Sequence, residues 1–277
     1  MVNIVMRKIK NNTVNMQITV LGCGGSDGVP QIGCDCSVCT SNNPKNIRTR
    51  SSIIIDIDGF KILIDSGPDI RLQALREGIK TIDAVIFTHA HFDHIGGLGD
   101  LKLFMNNRNY KPIPMFSDHE TNSITQNNFR YAFKTNSLLY PAILESYVFF
   151  GSFSLLPQKI SLIPFRQRHG KYFSYGFRIG DFAYSTDVSG LDEEAYRVLD
   201  GVKVWIVDSV RYYDSPTHFC LDDTLKAIIR VNPTEAIITH MCHDIDYDLL
   251  SEILPSNIKL AHDGMKFDIK SPPIHCK

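Results

Sequence analysis

Long apolar runs are missing from this chain of 277 residues. No stretch approaches the roughly 18 residues needed to span a bilayer, so no membrane partner is expected. Net charge is also scarce. Lys and Arg number 29 against 30 Asp and Glu, which leaves −1 at pH 7. No whole-protein field then draws the chain to nucleic acid or an anionic surface. The start, Met1 to Asn15, lacks the apolar core and small-residue cleavage site of a secretory signal. Residues 1–15 read as a flexible leader, with Met16 as an alternative start. Cysteine is sparse and odd in number, seven in all. Three of them cluster, which argues for metal-bound thiolates in a reducing compartment over a disulfide framework. A cytoplasmic protein is expected. No internal repeat of fixed period appears. The loop Gly22-Cys23-Gly24-Gly25-Ser26-Asp27-Gly28 lacks both the Gly-Lys-Ser/Thr of a P-loop and the spacing of a dinucleotide fingerprint. Alone it reads as a tight turn.

What the chain does have is a globular composition, 43% hydrophobic, and enough length to bury a sizeable core. Its densest chemistry is Thr88-His89-Ala90-His91-Phe92-Asp93-His94-Ile95-Gly96-Gly97. Three His and one Asp fall within six positions. The apolar, β-branched run Ile82 to Phe87 before it reads as a buried strand. The ligands therefore sit on a turn at the carboxyl end of a strand, where an α/β sheet leaves a crevice. Imidazole and carboxylate together suit zinc, manganese or iron. A second cluster, Cys34-Asp35-Cys36-Ser37-Val38-Cys39, places three soft ligands on one short loop. That fits a tetrahedral structural zinc, with a fourth ligand from elsewhere.

Along the rest of the chain, Met16 to Leu21 reads as a first strand. Ser51 to Asp58 and Phe60 to Asp65 read as a hairpin around Asp58-Gly59. Asp69 to Gly78 reads as a helix capped by Asp69. A short helix covers Leu98 to Met105. From Asn106 to about Phe150 the periodicity weakens. This segment, about 106–150, reads as an insertion with short helices around Ser117 to Asn128: a cap over the site, a contact in a homodimer, or a plain surface excursion. Strands follow at Phe153 to Pro157, Lys159 to Pro164, Tyr172 to Ile179, Phe182 to Ser185, Val202 to Val207 and Thr234 to Thr239. Helices cover Asp192 to Leu199, a stretch ending near Arg230, and Tyr247 to Ile253. Arg48 and Arg50 read as solvated, with facing a phosphate as the alternative for either, and His119, His262 and His275 as surface or packing residues. The pattern alone is α/β, with metal ligands at strand ends.

His-x-His-x-Asp-His resembles the signature of the metallo-β-lactamase superfamily, from about Met16 to Phe267. The resemblance implies an αββα sandwich, two mixed sheets with helices outside, in a single domain over 16–277. It implies two divalent cations, Zn or Mn, with His89, His91 and His169 on the first. Asp93, His94 and His240 belong to the second, and Asp187 bridges them. Asp65 holds the histidine turn in position. The three cysteines narrow the resemblance to a branch that includes the cyclic phosphodiesterase of the carbon–phosphorus lyase pathway and the pyrroloquinoline quinone biosynthesis protein B. There His243 completes the structural zinc site, with Cys242 as the rival ligand. His218, outside both shells, matches a proton donor of the phosphodiesterase. Cys220 departs from the branch, standing where a helix-capping Ser is common. The implied function is hydrolysis of a small or cyclic phosphodiester. The rivals are a hydrolase of a thioester, lactam or lactone, and a non-hydrolytic biosynthetic metalloprotein. A transfer RNA 3′-processing nuclease would carry a long basic arm, and none is seen.

Overall fold

The computed structural model describes residues 14–134, 141–155 and 160–271. Residues 1–13 of the expected leader lie outside these, as does His275, while Val14 and Asn15 already belong to the first strand. In chain order the strands are β1 (Val14–Gly22), β2 (Ser52–Ile57), β3 (Phe60–Ile64), β4 (Ala84–Ile86), β5 (Ile113–Ser117), β6 (Leu144–Val148), β7 (Phe153–Leu155), β8 (Ile160–His169), β9 (Tyr172–Ile179), β10 (Phe182–Ser185), β11 (Val204–Asp208), β12 (Glu235–Thr239), β13 (Ile258–Leu260) and β14 (Lys266–Ser271). They form two seven-stranded mixed sheets, ordered β14-β1-β2-β3-β4-β5-β6 and β7-β8-β9-β10-β11-β12-β13. In the first, β14 to β3 pair antiparallel and β3 to β6 parallel. The second repeats the pattern, antiparallel from β7 to β10 and parallel from β10 to β13.

The run Ser52-Ile53-Ile54-Ile55 explains the layering. Residues on a strand alternate between faces. Ile53 and Ile55 belong to the core between the sheets, with Phe177 and Trp205, while Ile54 packs on the outer face with Ile70 and Leu98. Both faces of the sheet are therefore covered, as a parallel sheet requires. The helices are α1 (Ile70–Arg76), α2 (Phe92–Ile95), α3 (His119–Asn128), α4 (Glu193–Leu199), α5 (Leu221–Val231) and α6 (Tyr247–Ile253). Helix α1 and a 3-10 helix over Leu98–Arg108 cover the first sheet. Ala195 and Leu199 of α4, and Ala227 and Ile228 of α5, join the core of the second. This is the αββα sandwich.

Three sequence expectations shift. The segment about 106–150 is not a mere excursion: β5 and β6 extend the first sheet by two parallel strands, linked through α3. Pro112 and Pro114 hid β5, because proline withholds a ladder donor. Strand β8 runs past Pro164, where the expected strand ends, through His169 to pair with β9, so His169 closes a strand. Asp69 precedes α1 without a side-chain cap bond. Its carboxylate instead takes Arg50 at 3.0 Å.

Candidate metal centre

Four strand ends of the second sheet and two of the first meet at one edge. Thr88 to His91 follow β4, Asp65 follows β3, His169 closes β8, Asp187 follows β10, Asp208 closes β11 and His240 follows β12. Asp65, Asp187 and His240 take φ of 64°, 54° and 59°. That left-handed region is costly for non-glycine residues, about 1–3 kcal/mol each, and such strain gathers at functional sites. Glycine lets the turns close. A Cβ on Gly67 would lie 2.0 Å from the Asp93 carbonyl oxygen, and one on Gly97 would lie 2.0 Å from that of Gly67.

The expected ligands come together in two groups that share Asp187: His89, His91 and His169 in one, Asp93, His94 and His240 in the other. The two Asp187 oxygens divide between them. Oδ1 lies 3.7 Å from His89 Nε2 and 3.8 Å from His169 Nε2. Oδ2 lies 3.0 Å from His94 Nε2 and 3.2 Å from His240 Nε2. His91 Nδ1 is 3.1 Å from His169 Nε2, and Asp93 Oδ2 is 3.1 Å from His94 Nε2. All but His91 are buried. The His89 Nε2 atom is buried without a hydrogen-bond partner, and those of His94 and His240 face only the Asp93 and Asp187 carboxylates. Buried nitrogens left unpaired are costly, and a divalent cation in each group would satisfy them. The donor set of imidazole and carboxylate fits zinc or manganese.

A ring of further contacts aims these ligands. Asp65 accepts from the Thr88 amide at 2.9 Å, from the Thr88 hydroxyl at 2.9 Å and from His94 Nδ1 at 2.7 Å. His169 Nδ1 donates to the Thr217 carbonyl at 2.7 Å. Each bond turns the other ring nitrogen toward the centre. Electrostatics follow the packing. Burial works against a charged His94, but Asp187, Asp93 and Asp65 outweigh it and hold its pKa well above the usual imidazole range. His240 is likewise pushed up to about 9, burial being overcome by Asp187 and Asp93. Burial lowers His89, helped by the charge of His94. Burial raises the Asp65 carboxyl against the pull of His94 and Thr88.

His218 stands outside both groups. Its Nε2 is 3.8 Å from Asp187 Oδ1, and its Nδ1 is 2.9 Å from Asp208 Oδ2. Asp208 also accepts from the Val188 amide at 3.0 Å and is fully buried. Asp208 is not singled out by the sequence and lies just past the strand expected over Val202 to Val207. The available signal was an Asp ending a buried apolar strand beside a strand that ends in Asp187. Cys220 precedes α5 without a side-chain cap bond.

Some distance along the same edge, Cys34, Cys36, Cys39 and His243 form a separate group. His243 Nδ1 is 3.2 Å from Cys34 Sγ and 3.4 Å from Cys36 Sγ. The Cys39 amide and then His243 lower the Cys36 thiol to about 6, which favours the thiolate that metals bind. Three sulfurs and one imidazole suit tetrahedral zinc. Cys242 turns away, donating to Asp244 at 3.0 Å. Arg48, expected in solvent, is 1% exposed. It donates to the carbonyls of Cys242 at 3.0 Å and Ile245 at 2.6 Å, which flank His243.

Residues 61–241 match the family model described as the beta-lactamase superfamily domain. The crystal structure of a diphosphatase from the PhnP family superposes with a TM-score of 0.88 at 35% identity, covering 94% of this chain and 100% of that one. The Zn(2+)-bound PqqB from Methylobacterium extorquens shares the fold, with a TM-score of 0.71 at 17% identity over 91% of this chain and 100% of that one. An octanoyltransferase of Porphyromonas gingivalis is 31% identical over 95% of this chain, which spans only 53% of that protein's length.

Proposed function

The chain belongs to the metallo-β-lactamase superfamily, and from that premise we propose that it is a dinuclear metal-dependent phosphodiesterase for small or cyclic phosphodiesters. The observation that carries this reading is Asp187, whose two oxygens face two complete ligand groups while His218 waits beside one of them. His89, His91, His169 and Asp187 would hold one divalent cation, and Asp93, His94, His240 and Asp187 the other. Cys34, Cys36, Cys39 and His243 would hold a structural zinc. When bound, such a pair activates water near neutral pH and neutralises phosphoryl oxygens. The chain supplies the rest. Asp65 and the Thr217 carbonyl fix the ligand rings. Asp208 fixes the His218 ring so that Nε2 faces the centre, where it can give a proton to the departing alkoxide.

The likeness to a PhnP-family diphosphatase supports phosphorus–oxygen chemistry. The thioester reading has one support, the octanoyltransferase name, and about half of that protein lies outside the match. Protein loaded with zinc or manganese should hydrolyse bis(p-nitrophenyl) phosphate and leave acyl thioesters intact. Thioester cleavage without phosphodiester turnover would overturn the proposal.

A further inference from the structure

Two neighbouring hollows lie beside the metal centre and share part of their lining. The inner one, about 320 Å³, is lined by His89, His91, Tyr172, Phe173 and Glu120. The outer one, about 350 Å³, ends against the exposed Phe150. Asp118, Arg166 and Tyr175 line both. Neither hollow is needed to hold cations or to move the His218 proton.

The walls have a definite chemistry. Tyr172 stands edge-on to the His91 ring, with centroids 6.1 Å apart, yet is 62% exposed. The Arg166 guanidinium lies 3.3 Å over the Phe173 ring, so its outer face is a second flat surface and its edge keeps N–H donors. Asp118 spends both oxygens on α3, accepting from the amides of Glu120 at 3.0 Å and Thr121 at 3.2 Å. Glu120, exposed beside it, is the acceptor left over. Carboxylates outnumber cations here, since the outer hollow adds Asp192 and Glu194. A second phosphoryl group or a polynucleotide backbone would meet like charge. A neutral flat ring would find stacking faces, an acceptor and donors.

We propose that this groove binds the organic group of the substrate, and that this group carries a neutral planar heterocycle with N–H donors, of the nucleoside kind. Turnover of such a substrate rests on the phosphodiesterase reading, whereas its binding does not. The test is therefore calorimetric first. Metal-loaded full-length protein is titrated with adenosine and guanosine 5′-monophosphate and with ribose 5-phosphate. The nucleotides should bind about tenfold tighter or more, the order that base stacking on an aromatic ring gives. Tyr172→Ala, at an exposed position, should bring the two classes within about twofold, and Glu120→Gln should weaken the nucleotides alone. Equal affinities in the unaltered protein, or a preference that survives Tyr172→Ala, would overturn the inference. In a second arm, the p-nitrophenyl ester of thymidine 5′-phosphate is compared with methyl p-nitrophenyl phosphate, and the nucleoside ester should have the lower KM. Selective binding with no turnover of either ester would sink the phosphodiesterase reading and leave the groove standing. Turnover of both esters at one KM would do the reverse.

Discussion

Two aspartates occupy matching places in the two sheets. Each follows the fourth strand of its sheet, Asp65 after β3 and Asp187 after β10, and each sits at positive φ. The backbone treats them alike, but their partners do not. Asp65 receives an amide, a hydroxyl and an imidazole, which fill its oxygens. Asp187 receives one hydroxyl, from Thr186, and otherwise faces imidazole nitrogens. A repeated fold can thus place the same carboxylate twice, and the count of nearby N–H and O–H donors decides which one stays free for a metal. Removing each in turn is the sharpest way to break the comparison. Asp187→Ala should lose both catalytic cations and all turnover, because neither group keeps a complete carboxylate and imidazole set. Elemental analysis that still finds two catalytic metals in Asp187→Ala would refute its bridging role.

His218 comes next in size. A general acid contributes about a hundredfold to ten-thousandfold. His218→Ala should lose that much on an alkyl or ribosyl cyclic phosphodiester, and far less on a p-nitrophenyl ester, whose leaving group needs little proton donation. The metal count should stay the same. Equal losses in kcat/KM on both substrates would make His218 a positioning residue, and a lost metal would make it a ligand.

Asp65→Asn should cost about 10- to 100-fold in metal affinity or turnover, the usual penalty for disturbing a partner of a ligand. The substitution keeps the shape and removes the charge that orients His94. If Asp65→Asn were as damaging as Asp187→Ala, the division between holder and ligand would collapse.

Much of this centre was legible because ligands of one motif sit close in sequence, where His89 to Asp93 and His94 stand far above composition. His169, His240 and Asp187 needed the family resemblance, since a single His or Asp after a strand carries little information of its own. Asp208 stayed hidden because its role is set by two partners, His218 and the Val188 amide, that only the folded chain brings to it. Arg48 was misread for the same reason. A guanidinium reads as solvated until backbone carbonyls from 194 and 197 residues away enclose it. Strands β5 and β6 were lost to prolines and weak alternation, although their pairing with β4 makes them part of the sheet.

Acidity offers a smaller effect. In the cation-free protein the neighbouring carboxylates favour the charged imidazoles, holding His94 well above its ordinary value and His240 at about 9. Cation binding must displace the His240 proton, so affinity should rise with pH up to about pH 9. Calorimetry at pH 7 in two buffers of different ionisation heat reads the protons released. Finding none released would contradict the charge balance described for the centre.

The smallest expected effect on catalysis is at the cysteine group, which contrasts with the metal centre in position and exposure. Cys36→Ser should remove one zinc, and the question is how far the damage travels. His243 lies three residues beyond His240, so a loosened zinc loop has a short path to the catalytic ligand. Several bonds oppose that path. The Gly25 amide bonds the Met241 carbonyl at 3.2 Å, the Met241 amide bonds the Cys23 carbonyl at 2.9 Å, and Arg48 grips the Cys242 and Ile245 carbonyls. These contacts cross-link the same two segments, so a zinc held there would close a loop that is already largely closed. Its entropic contribution is then well below that of a lone tie across 207 residues. The melting temperature should fall by only a few degrees, about 2–4 °C per kcal/mol for a chain near this size. Turnover should stay within about twofold, as for sites that share no partner. Arg48→Met should lower the melting temperature further than Cys36→Ser, since it leaves buried carbonyls unpaired. If Cys36→Ser instead abolished turnover while the catalytic metals remained bound, the zinc loop, and not Arg48, would be what holds His240 in place.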